Sequence, residues 1–244
     1  MGFHDLDLNE QLLIARRGTA YFAQRLAELT DEQLHEPTGL AGWSRRHLLA
    51  HVGYNAAALC RLLDWAATGI ETPMYASPEQ RGREIGEGAT LSAAALRNLF
   101  DHTVARLDEK WRHLPAAAWE AQVRTAQGRL VPVSETAWMR TREVWIHAVD
   151  LGNGGRFGDF PDVVLDSLLA DIVGMWRRKD LGAGLVLAVD GGEPVAVQPE
   201  SPPTEKVSGP LAAVVRWAAG RGAVGVSAAG VSAGGEIPEP PHWL

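Results

Sequence analysis

Residues 135–151 read ETAWMRTREVWIHAVDL, and this stretch decides the fold. Apolar residues recur at helical spacing, Ser134 stands where an N-cap belongs, and Gly152 follows as the stop. Within it Glu143 and His147 are separated by one turn, so both side chains leave the same face. Their neighbours Val144, Trp145, Ile146 and Val149 are apolar. A carboxylate beside an imidazole is costly to bury there unless an ion or a partner satisfies both. A solvent-facing Glu–His pair at this spacing is the ordinary alternative.

Upstream, three further segments carry helical periodicity. One covers about residues 5–29, with Leu12, Leu13, Arg16, Ala20, Ala23 and Leu26 as its stripe. The next begins after Trp43 with Ser44 as cap and runs through HLLAHVGYNAAALCRLLDWAA to a stop near Gly69. A long connection containing Pro and Gly leads to the third, about residues 92–113. Between it and residue 135, AQVRTAQGRLVPV alternates and turns at Gln127-Gly128, as a hairpin or an extended loop does. Four long helices with one crossover connection predict an N-terminal four-helix bundle.

The second part differs. From Pro161 a helix, DVVLDSLLADIVGMWRRK, precedes two β-like runs, GLVLAVD and PVAVQ. The Pro-rich PESPPTE, the apolar helix LAAVVRWAAG and the Gly-rich AVGVSAAGVSAGG follow. Mixed α+β character after an all-helical start predicts two domains, residues 1–155 and a smaller module at 156–244.

Net charge −7 argues against nucleic acid or an anionic membrane as partner and favours a small molecule. With one cysteine, Cys60, no internal disulfide is available. The N-terminus lacks the basic start and long apolar run of a secretory signal, so the cytoplasm is the expected compartment.

A catalytic zinc site takes three protein ligands and leaves one position open. Glu143 and His147 supply two, and a mixed nitrogen and oxygen set suits zinc. The third candidate is His51, an imidazole within the apolar run LLAHVGYNAA, where a core histidine satisfied by a backbone acceptor is the alternative. Asp150 stands where it can accept the second N–H of His147, or it is a helix-end surface carboxylate. His47, one turn before His51, is placed to orient a pocket, and no role is assigned to it.

The segments GWSRRHLLAHVGYN and REVWIHAVDLG resemble the DinB-like helical-bundle metalloproteins. Joined to the C-terminal module, they resemble the family of mycothiol-dependent maleylpyruvate isomerases. ETPMYASPE, TAQGRLVPVSET, GLVLAVD, AAGRG and IPEPPHWL are similar to that family as well. The resemblance implies a metal held by His51, Glu143 and His147, mycothiol as thiol coenzyme, and cis–trans isomerisation of maleylpyruvate to fumarylpyruvate in gentisate breakdown. It also implies an active-site role for Arg221, which is otherwise a surface arginine after a helix end. Cys60 lies two turns beyond His51 among Ala and Leu and reads as packed rather than nucleophilic. The competing expectations are a thiol transferase of the same superfamily and an apolar-ligand carrier, since the C-terminal module also resembles sterol-carrier-like domains. A metal-dependent hydrolase is a further alternative.

Overall fold

The computed structural model describes residues 2–230 and 236–243. The chain divides into two compact units, Asp7–Gly155 and a second formed from Arg156 onward together with the residues through Leu6.

The first unit is built on α1 (Leu8–Ala27), α2 (Arg45–Thr68), α3 (Pro78–Gly88), α4 (Ala93–His113) and α5 (Glu135–Asp150), with the short strands β1 (Gln122–Arg124) and β2 (Leu130–Pro132) before α5. The four long helices form the expected bundle: α2 packs on α4 and α5, and α1 packs on α5. Their starts follow from capping. Asp7 accepts the Glu10 N–H at 2.9 Å while Glu10 accepts the Asp7 N–H at 3.1 Å, and Ser92 accepts the Ala95 N–H at 3.2 Å. Gly69 ends α2 at φ +72°, the left-handed conformation glycine adopts freely.

Several expectations change. Helix α1 starts at Leu8 rather than near residue 5, because Asp7 caps it. Its buried face is Leu12, Ile14, Ala15, Gly18, Phe22 and Leu26, while Leu13 is 45% exposed, so the expected stripe is rotated. Gly18 explains the rotation. A Cβ there would lie 2.5 Å from Trp145 Nε1 and 2.7 Å from Val144 Cγ2, so only glycine lets α1 approach α5 this closely. The long connection before α4 contains α3, started by Ser77, whose hydroxyl accepts the Gln80 N–H, and by Pro78 in the first turn. Ser134 does not cap α5. Its backbone is already helical (φ −54°, ψ −28°) and its side chain makes no capping bond. The Val133 and Ser134 N–H groups instead donate to Ala121 and Trp119, so the β1–β2 hairpin anchors the entry to α5.

The second unit holds α6 (Asp162–Arg178), α7 (Leu211–Ala218) and a sheet of β3 (Leu185–Val189), β4 (Val195–Ala196), β5 (Glu205–Gly209) and β6 (Ser227–Gly230). The strand order is β4-β3-β5-β6, with β3 and β5 parallel and the outer pairs antiparallel. β3 and β4 correspond to the expected runs. β5 emerges from the end of the Pro-rich break and β6 from the Gly-rich run, of which residues 231–235 lie outside the described residues. Neither strand carries the alternation of a half-buried strand; pairing with β3 and with each other defines them. Residues 2–6 were expected with the bundle but belong to this unit. Phe3 is fully buried and its N–H donates to Ser167 Oγ of α6 at 2.7 Å. Trp176 and Trp217 meet edge-on at 6.2 Å, and their indoles donate to Pro241 and Pro238, tying down the C-terminal segment. No helix among the described residues is long and apolar enough to cross a membrane.

Candidate metal centre

His51 on α2 meets Glu143 and His147 on α5. His51 Nε2 lies 2.7 Å from Glu143 Oε2, and His147 Nε2 lies 3.2 Å from the same oxygen. The two imidazoles stand edge to face, centroids 4.9 Å apart at 88°. One ligand atom from each residue falls within 4.8 Å of the other two. Two imidazole nitrogens and one carboxylate oxygen this close together are the donor types that catalytic zinc sites use, so these residues fit a divalent ion.

The surroundings hold each ligand in its orientation. Asp150 Oδ2 lies 2.8 Å from His147 Nδ1 and is itself buried, leaving Nε2 for the centre. Trp43 places its ring edge-on to His51 at 5.4 Å. Arg140, fully buried one turn before Glu143, donates through Nη1 to Val52 O and Asn55 Oδ1 on α2, which ties the two ligand-bearing helices together beside His51.

The electrostatics follow from burial and mutual contact. Burial holds the His51 pKa below its ordinary value, with Glu143 working against it. Burial also opposes charge on His147, but its bonds to Asp150 and Glu143 prevail and push it up to about 9. At Glu143 burial is outweighed by the two histidines, which hold the carboxyl well below the usual range. The carboxylate is therefore ionised and available as a ligand at neutral pH.

Other residues fall elsewhere. His47 serves the start of α2, its Nδ1 lying 2.8 Å from the Ser44 hydroxyl and 3.3 Å from the Ser44 N–H. Cys60 is buried, and burial pushes its thiol up to about 11, so it stays protonated at neutral pH. Arg221 lies just after α7 in the second unit, half-buried, with Nη1 donating to Ala219 O at 2.6 Å and its carbonyl accepting from Arg216 Nε. A residue that spacing did not single out, Arg81 on α3, comes within 3.4 Å of His51 Nδ1. The Ser77-Pro78 pair marks the start of its helix in the sequence, but nothing in the spacing marks Arg81 itself.

A helical bundle bearing a convergent His–Glu–His group able to hold a divalent ion, carried in one chain with an α+β unit, defines a two-unit protein with a candidate metal site. Residues 15–152 match the model of the mycothiol maleylpyruvate isomerase N-terminal domain, and residues 159–242 that of the family's C-terminal domain. The chain belongs to the mycothiol-dependent maleylpyruvate isomerase family. Among solved structures it is similar to a mycothiol-dependent maleylpyruvate isomerase, at 51% identity over 100% of both chains and a TM-score of 0.94. A histidine-to-alanine mutant of a mycothiol-dependent maleylpyruvate isomerase matches with the same identity, coverage and TM-score. No curated protein sequence matches.

Proposed function

We propose that this protein isomerises maleylpyruvate to fumarylpyruvate, a step of gentisate breakdown in the cytoplasm, with mycothiol as coenzyme and zinc at His51, Glu143 and His147. The observation that carries the reading is 51% identity to a mycothiol-dependent maleylpyruvate isomerase over the full length of both chains. The convergent donor set agrees with it.

The chemistry follows from the substrate. A carbon–carbon double bond conjugated to a carbonyl does not rotate. Addition of a thiolate forms a carbon–sulfur bond and moves the alkene electron pair to the carbonyl as an enolate. The former double bond then rotates, and collapse of the enolate expels the thiolate and restores the alkene in the trans geometry. The thiol is regenerated and nothing is oxidised or reduced. A divalent ion bound there would supply positive charge that lowers the pKa of a thiol beside it. Glu143 and the two histidines would hold that ion, with Asp150 orienting the His147 ring through Nδ1. Cys60, buried and protonated, leaves the sulfur to an external thiol. Arg221, carried over from the family resemblance, is assigned to the substrate's anionic end, where a guanidinium binds a carboxylate or steadies the developing enolate.

The deciding experiment is turnover of maleylpyruvate with and without mycothiol, on zinc-loaded and chelated protein. Isomerisation that needs both is expected; turnover without thiol, or undiminished by complete chelation, rejects the reading. Arg221→Ala should lower kcat/KM by ~100-fold or more, the scale of losing one charge-stabilising donor, with zinc content unchanged. Near wild-type kinetics would remove Arg221 from the chemistry.

A further inference from the structure

Helix α3 sets Arg81 against the ligand His51, with the guanidinium Nη2 3.4 Å from Nδ1. That imidazole nitrogen is its hydrogen-bonding partner, and none of the described carboxylates pairs with it, although the chain has 30 acidic residues. The nearby carboxylates turn elsewhere, although the buried Oε2 of Glu84 has no hydrogen-bond partner. Glu84, one turn on, accepts from Gln80 at 3.0 Å and lies 3.6 Å from Arg61, and Glu143 faces the two histidines. A guanidinium therefore stands beside the candidate metal centre with no carboxylate partner among the described residues. Tyr75, in the segment leading into α3, is pushed up to about 12 by burial, with Arg81 and Glu143 acting on it in opposite senses. Its phenol is thus a protonated O–H donor within electrostatic reach of both.

The two nitrogens of His51 explain what Arg81 waits for. Nε2 is the atom turned toward Glu143 and the donor set. A neutral imidazole that offers the Nε2 lone pair to an ion keeps its proton on Nδ1. Nδ1 then ceases to be an acceptor, and an N–H of the ring faces an N–H of the guanidinium. Loading the centre thus takes from Arg81 the partner it has and leaves its charge unanswered. We infer that Arg81 recognises a carboxylate of the substrate beside the metal centre, and that metal loading releases it from His51 for this task. The inference rests on the proposed function for the identity of that anion. It makes Arg81 a specificity-determining residue, next to the ligands and on the same unit.

Maleate, a dicarboxylate that needs no turnover, is the probe. Calorimetric titration of maleate into zinc-loaded wild type, Arg81→Ala and Arg81→Lys should show the alanine variant weakened by ~10-fold or more, as expected for loss of a charge-assisted hydrogen bond. Lysine should restore part of the affinity, since it keeps the charge without the fork. In metal-free protein the same alanine substitution should cost less, because Nδ1 still accepts from the guanidinium. With maleylpyruvate as substrate, KM should rise while KM for mycothiol and zinc content stay near wild type, a split that a purely structural role would not produce. Equal maleate affinity in wild type and Arg81→Ala, absence of maleate binding by the wild type, or a rise confined to the mycothiol KM overturns the inference. An equal penalty with and without zinc overturns the release. A wild type that binds maleate through Arg81 yet isomerises nothing rejects the proposed function and leaves the anion site standing.

Discussion

Helices α2 and α5 supply the candidate metal centre by different means. On α5, Glu143, His147 and Asp150 share one face within two turns, so helix geometry alone brings two ligands and a supporting carboxylate together. On α2 the one ligand, His51, is 92 residues from Glu143 in sequence, and packing alone delivers it to 2.7 Å. The local half of the centre is written into spacing; the distant half depends on how closely the bundle closes. Substitutions can therefore strike either half separately.

The largest effect is expected from the local half. His147→Ala removes a ligand and leaves the buried Asp150 without its imidazole. Two remaining donors do not complete a catalytic zinc set. Stoichiometric zinc should be lost, and kcat/KM should fall by more than ~100-fold, the upper end of what losing a supporting outer partner costs. Metal analysis and kinetics on one preparation check this. Full turnover with a full complement of zinc would make Glu143 and His147 an ordinary ion pair.

Asp150→Asn is a milder blow to the same half. It keeps the shape and removes the charge that orients His147, so zinc affinity should drop ~10- to 100-fold without loss of fold. Competition with a chelator of known affinity measures it; unchanged affinity would show that helix geometry alone holds the ring.

The same contrast governs what the sequence discloses. The Glu143–His147 pairing is legible because helical spacing is a local property, and His51 is legible as a polar residue inside an apolar run. Arg81 is not, since α3 is polar, carries Gly82 and Gly86 within it, and shows no buried stripe beyond Ile85 and Gly88. The face of α1 is misread for a related reason. Leu13 looks like core, but the close approach at Gly18 turns Ile14 and Ala15 inward instead. In the second unit β5 and β6 exist through their pairing, with Val207 the one buried residue of β5, and no periodicity announces them.

Gly18→Ala tests the distant half through bundle closure. Alanine gains up to ~1 kcal/mol in helix propensity. Its Cβ, however, would press on Trp145 and Val144 of α5. Overpacking of this kind costs ~1–3 kcal/mol, so a net loss of about 1–2 kcal/mol is expected. The measurements are denaturant midpoint and zinc affinity. An increase in stability would mean that α1 can withdraw from α5 without penalty.

Cys60→Ser should have the smallest effect, because it lies on α2 beyond His51 and outside the donor set. The thiol is 1% exposed, and burial pushes its pKa to about 11 despite the opposing pull of Arg106 and Lys110. Near neutral pH it is a packed, protonated group and a poor nucleophile. A serine hydroxyl in its place loses an apolar contact, but within a helix it can donate to the carbonyl four residues earlier, which limits the cost to ~1 kcal/mol. Turnover with mycothiol and zinc content should both match the wild type. If instead kcat collapses while zinc stays stoichiometric, the working sulfur belongs to the protein, and α2 supplies both the ligand placed by packing and the nucleophile.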